Sequence, residues 1–150
     1  MGLEENIKQK EFTNQIEKAI VNVTYTNSYL SGILTSEFKS YNISIQQFNV
    51  LRILQGQHPK PVSVNDITLR MVDKMSNASR LVEKLHTKNL IGRAKCSYDK
   101  RQVDVTITEE GQKVLNQLNK HVDKVYENHN QLSNEELITL NELLDKLRKE

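Results

Sequence analysis

Two short polar segments of the chain carry side chains that could bind a nucleic acid. The first, SNASRLVEKLHT, begins at Ser76 and is amphipathic when drawn as a helix at about 100° per residue. One face of that helix is apolar, with Ala78, Leu81, Val82 and Leu85. Asn and Arg side chains can make two hydrogen bonds to one base edge, and Ser can bond bases or phosphates. The other face and its flanks carry such candidate major-groove contacts: Ser76, Asn77, Ser79, Arg80 and Lys84. Taken alone, the pattern also fits a surface helix with a solvated polar face.

The second segment is the charged turn of SYDKRQVDVTIT, which is followed by a strand of alternating apolar residues. Lys100 and Arg101 at a hairpin tip cannot be buried, and their mutual repulsion does nothing for folding. An arginine at such a tip can enter the narrow minor groove of DNA, where the negative potential is enhanced. Asp99 could hold that arginine in a fixed direction through a charge-assisted hydrogen bond. A charged turn is common in proteins, so the helix before it is needed to support a DNA-binding interpretation.

Charge is distributed unevenly along the chain. The whole chain has a net charge of +2, yet residues 52–101 contain eleven cations and four anions, a net +7, and the remainder carries −5. A basic centre between acidic ends favours a polyanion partner for the centre.

The elements that must position these segments can be predicted from apolar spacing and capping residues. Apolar residues at helical spacing predict one long first helix over 5–39, bent near 24–28. Ser44 with Gln47 forms a capping box for a helix that ends near Gly56. Ser63 and Ser76 can cap two short helices, and LIGRAKC and VDVTIT predict a hairpin as the only sheet. Two further helices follow, one after Thr108 and one after the capping box of Ser133 and Glu136.

The terminal helices favour a homodimer. A helix of 35 residues is about 50 Å long at 1.5 Å per residue, which exceeds the diameter of a small domain. Part of its apolar face would therefore need a second chain, although in a monomer the same residues would form core. Two-fold pairing would present two recognition helices to successive major grooves, about one helical turn apart.

Several classes of function are disfavoured. The single cysteine, Cys96, excludes an internal disulfide and a cysteine-based zinc finger, and the four histidines lack metal-ligand spacing. No glycine-rich phosphate loop or nucleophile elbow is present. No apolar run is long enough for a membrane span or a signal peptide. We therefore expect a cytoplasmic protein that is not an enzyme and has no metal or cofactor.

Four consecutive segments resemble the blocks of MarR-type winged-helix transcriptional regulators: QQFNVLRIL, VSVNDITLRM, SNASRLVEKLHTKNLIGR and DKRQVDVTITEEG. The resemblance covers residues 44–115 and is most specific at the wing, where Asp, one residue and Arg precede a strand closed by Thr-Glu-Glu-Gly. It implies a homodimer with interlocking first and last helices, with Arg101 in the minor groove and Asp99 supporting it. It is also compatible with a small aromatic or anionic effector, whose pocket would open near Tyr25, Tyr29 and Tyr41, although a role of these tyrosines in packing helices together is the simpler interpretation. Asn89 replaces a glycine that many members have, and the first helix lacks the cysteine through which some members sense oxidants.

The sequence thus predicts a mainly α fold with a small β-hairpin wing, a winged helix-turn-helix with long dimerisation helices at both termini. Residues 1–150 would form a single domain, in which 5–39 and 108–150 dimerise and 44–107 form the DNA-binding lobe. The predicted function is that of a regulator of transcription, most often a repressor in such families, that binds double-stranded DNA through the helix at 76–87 and through Asp99, Lys100 and Arg101. Lys74, Lys88 and Lys95 are weaker phosphate candidates. The competing hypothesis is a winged-helix module that binds another protein and no DNA, because a fold alone does not fix function.

Overall fold

The computed structural model describes residues 2–99 and 101–148, which form seven helices and a three-stranded sheet. The helices are α1 (Leu3–Ile7), α2 (Gln15–Phe38), α3 (Ile45–Gln57), α4 (Val64–Arg70), α5 (Ala78–Thr87), α6 (Glu109–His129) and α7 (Asn134–Leu147). The strands are β1 (Val62–Ser63), β2 (Ile91–Lys95) and β3 (Val103–Ile107), and a 3₁₀ turn follows α2 at Lys39–Tyr41. The predicted fold class, mainly helical with a small wing, is confirmed.

The prediction of one uninterrupted helix over 5–39 is wrong. Helix α1 ends at Lys8, whose backbone is left-handed with φ 55°, and α2 starts only after Asn14, whose side-chain oxygen accepts a hydrogen bond from Glu17 N at 2.9 Å. The intervening residues are mostly polar, so no apolar face holds them in a helix. An ion pair between Lys18 and Glu4 links the two helices instead. Helix α2 has 24 residues, or about 36 Å, so helix length alone no longer argues for a second chain.

The predicted serine caps of three helices are confirmed. Ser44 and Ser133 each accept a hydrogen bond from the backbone three residues on and form complete capping boxes with Gln47 and Glu136. Ser63 accepts from Asp66 N at 3.0 Å and starts α4. Each cap satisfies an otherwise unpaired N–H group at its helix N-terminus.

The predicted hairpin is present, but it is not the whole sheet. Strands β2 and β3 pair antiparallel, with Ile91 opposite Ile107 and Arg93 opposite Val105. The two-residue strand β1 pairs with the other side of β3, placing Val62 opposite Val105. This pairing ties the start of α4 to the wing.

The core lies where α3, α4, α5 and α6 meet the sheet. Its fully buried large side chains include Phe38, Leu51, Leu54, Ile67, Leu85, Leu115 and Leu118. Phe38 is the only residue of α2 that is buried, and no described residue of α7 is. The N-terminal and C-terminal helices therefore carry their apolar residues largely outside the core. None of the helices described here combines the length and the apolar character needed to cross a membrane.

The connection from α5 to the wing depends on a close approach to α6. Asn89 adopts the left-handed conformation, φ 59°, that its short side chain tolerates. Thr108, the N-cap of α6, donates its backbone N–H to Leu90 O at 3.1 Å and its hydroxyl to Asn89 O at 2.8 Å. A Cβ on Gly111 would overlap the Leu90 carbonyl oxygen and lie 2.9 Å from Ile107 Cγ1.

We expect Gly111→Ala to lower the free energy of unfolding by about 1–3 kcal/mol, because the backbone of Leu90 must move to admit a methyl group. Gly56→Ala in α3 is the matched control, since nothing lies within 4 Å of a Cβ there. The control should leave stability unchanged or raise it by up to about 1 kcal/mol. Urea unfolding at one protein concentration measures both; equal stability of Gly111→Ala and the original protein would contradict the packing described.

Candidate nucleic-acid interface

Helix α5 has the two-sided character that its sequence predicts. Ala78, Val82 and Leu85 are buried and Leu81 is half-buried. Ser79, Arg80 and Lys84 are exposed on the other side. The apolar face fixes the helix to the core and leaves the polar face open to a ligand.

The N-cap of α5 is Asn77, and the prediction that Ser76 caps this helix is wrong. Asn77 Oδ1 accepts a hydrogen bond from Arg80 N at 3.0 Å. The Asn77 amide NH₂ group remains available, whereas its oxygen already serves the fold. Ser76 Oγ is buried and has no hydrogen-bond partner among the described residues. An unpaired buried hydroxyl does not stabilise the folded state.

A cleft of about 360 Å³ brings four of the predicted contact residues together at the start of α5. Its other walls come from α3 and from the turn that precedes α5. It is lined by Gln46, Asp73, Ser76, Asn77, Arg80, Leu81 and Lys84. Ser79 does not line this cleft and lies on the side of α5 that faces the wing.

The turn between α4 and α5 is held by side chains of α3 that the sequence did not indicate. Asn49 Oδ1 accepts a hydrogen bond from Val72 N at 2.9 Å, and Gln46 donates to Asp73 Oδ2 at 3.4 Å. Asp73 Oδ1 also accepts from Met75 N at 3.0 Å. Residues more than 20 positions apart make the first two contacts, so no local spacing could have revealed them.

At the wing tip the predicted contact between Asp99 and Arg101 is present. Asp99 Oδ1 accepts a hydrogen bond from Arg101 N at 3.0 Å and lies 3.5 Å from Arg101 Nε. The Arg101 side chain is 95% exposed. A guanidinium that is oriented by a carboxylate and open to solvent can bind an external anion. Lys100, also predicted to contact DNA, lies outside the described residues.

Two of the weaker phosphate candidates have bonds inside the fold. Lys88 Nζ donates to Asn42 O and to Gln47 Oε1, the latter at 3.2 Å, and so joins the end of α5 to the start of α3. Burial, reinforced by the charge of Lys84, lowers the pKa of Lys88 below its ordinary value. Lys74 Nζ donates to Leu69 O at 2.7 Å. Among residues 2–99 and 101–148 no group of three His, Cys, Asp or Glu side chains could hold a metal ion.

Comparison with known proteins relates this geometry to a family. Residues 32–118 match the family described as transcriptional regulator SarA/Rot. Over 110 residues the chain is 31% identical to the HTH-type transcriptional regulator MgrA of Staphylococcus aureus, with 73% of each chain covered.

Solved structures show the same fold. The MarR transcription factor from Planctomyces limnophilus superposes with a TM-score of 0.69 at 26% identity, covering 90% of this chain and 98% of that chain. The DNA complex of MepR from S. aureus superposes with a TM-score of 0.76 at 22% identity, covering 91% of this chain and 97% of that chain. At 22% identity, the similarity to MepR shows a shared fold.

Because Asn77 rather than Ser76 caps α5, we expect Asn77→Ala to lower the free energy of unfolding by about 1 kcal/mol. Ser76→Ala should cost nothing, since the hydroxyl that it removes is unpaired. Urea titrations of the two variants measure the difference. A loss of stability in Ser76→Ala equal to that in Asn77→Ala would contradict the assignment of the cap.

Proposed function

The chain belongs to the SarA/Rot family of MarR-like winged-helix transcriptional regulators, and we propose that it represses transcription as a homodimer on a pseudo-palindromic operator. Regulation of transcription through DNA binding is the function of this family, which consists of regulators rather than enzymes. The observation that carries the proposal is the pairing of two exposed features: the polar face of α5 and an Arg101 side chain oriented by Asp99.

The proposed binding mode assigns each feature to one groove. Helix α5 would enter the major groove, with Asn77 and Arg80 bonding base edges and with Ser79 and Lys84 bonding bases or phosphates. Ser76 is left out of this binding mode, because its hydroxyl is buried. Arg101 would enter the adjacent minor groove, where a narrow groove concentrates negative potential. Lys100, next to it in the sequence, is proposed to add a phosphate contact. The similarly folded MepR of S. aureus was solved as a complex with DNA, which supports DNA binding by this fold.

The proposal of a homodimer is supported by the apolar side chains that one chain leaves exposed. Helix α2 exposes Ile16, Ile20 and Val23, and the C-terminal region exposes Leu132, Leu140, Leu143 and Leu147. Ile16 is 73% exposed and Leu143 59%. An exposed apolar surface of this kind is typical of an interface. A second copy would cover it through the same residues of both chains, since a two-fold interface is self-complementary.

The effector stays a prediction. Tyr29 contacts His129 edge-on with ring centroids 5.8 Å apart, and Tyr41 OH lies 3.1 Å from His121 Nε2, which joins α2 and its following turn to α6. A small aromatic or anionic molecule is proposed to bind beside these pairs, where it could shift α6 relative to the DNA-binding lobe. The alternative of a module that binds only proteins is disfavoured by the family, whose members regulate transcription through DNA binding.

We expect Arg101→Ala to weaken binding to an operator selected from random duplexes by about 1–3 kcal/mol. It should also flatten the slope of log affinity against log salt by about 0.9, the value for one lost phosphate neutralisation. Asp99→Asn is the control, because it removes the orienting carboxylate and keeps every cation. Its affinity should fall while its salt slope stays near that of the original protein. Fluorescence anisotropy at several salt concentrations measures both quantities, and unchanged affinity and slope in Arg101→Ala would refute the wing contact.

We expect Leu140→Glu to convert the dimer to a monomer, because a charge would be buried without a partner at the apolar surface of α7. Asn141→Glu adds the same charge at an exposed residue that lies about 100° around the helix from Leu140 and about 160° from Leu143, and it should leave the dimer intact. Sedimentation equilibrium distinguishes the two results. Dimers in both variants, or a monomeric original protein, would exclude α7 from a homodimer interface.

A further inference from the structure

The register of the wing places a cation where the strand pattern calls for an apolar residue. Residues opposite each other in antiparallel strands point to the same face of the sheet. Arg93 lies opposite Val105, which is fully buried, and Ile91 two residues earlier lies opposite the buried Ile107. Arg93 is therefore on the inner face of the wing, the face that packs onto the core. Lys95 follows on the same face, opposite Val103.

Arg93 lines a second cleft, of about 300 Å³, between the wing and α5. The cleft has an apolar part formed by Val64, Val82 and Val103, and its polar groups are those of Ser79, Glu83 and Arg93. The side chains of Arg93 and Glu83 are both exposed, and neither takes part in an ion pair within 4.0 Å among residues 2–99 and 101–148. The Arg93 guanidinium thus has no carboxylate partner among the described residues, although the Glu83 carboxylate lines the same cleft.

The shape of duplex DNA determines which part of it would lie in this cleft. One sugar-phosphate strand separates each major groove from the adjacent minor groove. If α5 occupies the major groove and Arg101 the minor groove, as proposed above, that strand must cross the space between α5 and the wing. The inference thus rests on the proposed function and adds the site at which the DNA backbone is held.

We infer that Arg93 binds a phosphodiester of this strand, with the Ser79 hydroxyl as a second donor. A guanidinium matches the geometry of a phosphate because it donates two parallel hydrogen bonds. The neighbouring valines keep water away from one side of the contact, which strengthens the attraction between the charges. The phosphodiester would be fixed between the two elements that enter the grooves, and so would set the register of both.

Glu83 has a defined part in this site. Its carboxylate faces the same cleft and repels a phosphodiester, so it lowers affinity for every duplex and leaves Arg93 as the only strong anion ligand there. A carboxylate could instead accept a hydrogen bond from a cytosine amino group. The two roles predict opposite results for Glu83→Gln: tighter binding to all duplexes in the first case and weaker binding to the operator alone in the second.

The test compares Arg93→Gln with Lys124→Gln, which removes another exposed cation, from α6. Each protein is titrated with the selected operator and with operators that carry one neutral methylphosphonate, moved along the strand beside each half-site. Arg93→Gln should bind the unmodified operator about tenfold more weakly or worse, with a salt slope lower by about 0.9. A methylphosphonate at one position should weaken operator binding by the original protein and by Lys124→Gln. It should not weaken binding by Arg93→Gln any further.

Arg93→Lys and measured stability separate loss of contact from loss of fold. Arg93→Lys keeps the charge and should retain the salt slope, while its affinity falls because paired hydrogen bonding is lost. A thermal midpoint of Arg93→Gln close to that of the original protein shows that the wing is folded.

The inference is overturned if the affinity of Arg93→Gln has the same salt slope as that of the original protein. It is also overturned if every methylphosphonate lowers the affinity of Arg93→Gln as much as it lowers that of the original protein. In either case Lys124→Gln and the original protein still bind the operator, and the proposed function stands. If the original protein shows no salt-sensitive binding to any duplex, both proposals are wrong. Selective weakening on the operator by Glu83→Gln would overturn the role given to Glu83.

Discussion

Val105 is the residue through which the wing and the helix-turn-helix are joined. It is completely buried in the middle strand, with Val62 opposite it on one side and Arg93 on the other. Val62 directly precedes the cap of α4, so the start of the helix-turn-helix is bonded to the same strand as the wing. Because a packed interior deforms little, the angle between α5 and the wing is set by this contact. Two elements that are proposed to enter neighbouring grooves need such a fixed angle.

The surface divides into two regions of different chemistry. Around α5 and the wing, exposed cations such as Arg80 and Arg93 agree with the net +7 of residues 52–101, although Met75 and Tyr98 are exposed there as well. On α2 and α7 they include isoleucine and leucine side chains more than half exposed, such as Ile16 and Leu143. A polyanion and a second copy of the chain are suited to these two regions respectively. The separation lets dimerisation and DNA binding use different residues.

Some polar residues of the proposed interface also have hydrogen bonds inside the fold. Asn77 uses its oxygen to cap α5, and Lys88 uses its ammonium group to join α5 to α3. Among residues 2–99 and 101–148, Arg101 has one ion pair, with Asp99, and Arg93 has none. Under the proposed function, a change at Asn77 or Lys88 would alter stability and binding together, whereas a change at either arginine would act mainly on binding.

The sequence by itself determined the features that depend on neighbours within a few residues. Ser44, Ser63 and Ser133 could be identified as caps because a cap bonds the backbone three residues on, and the alternation of VDVTIT indicated a strand of the wing. The apolar face of α5 and the Asp99 contact with Arg101 were predictable for the same reason. Even local patterns were misjudged where two candidates competed, as with Ser76 and Asn77, or where polar residues interrupted a helix after Ile7.

Only the tertiary structure decided which distant residues meet. Strand β1 pairs with β3, and Asn49 anchors the α4–α5 turn, so each contact joins segments far apart in the chain. The position of Arg93 on the inner face of the wing also depends on such contacts. Strand register fixes the face on which Arg93 lies, and register is set by packing of Val105 and Ile107 against the core rather than by any property of the arginine. A sequence shows that Arg93 is a cation in a strand; the fold decides that it faces α5.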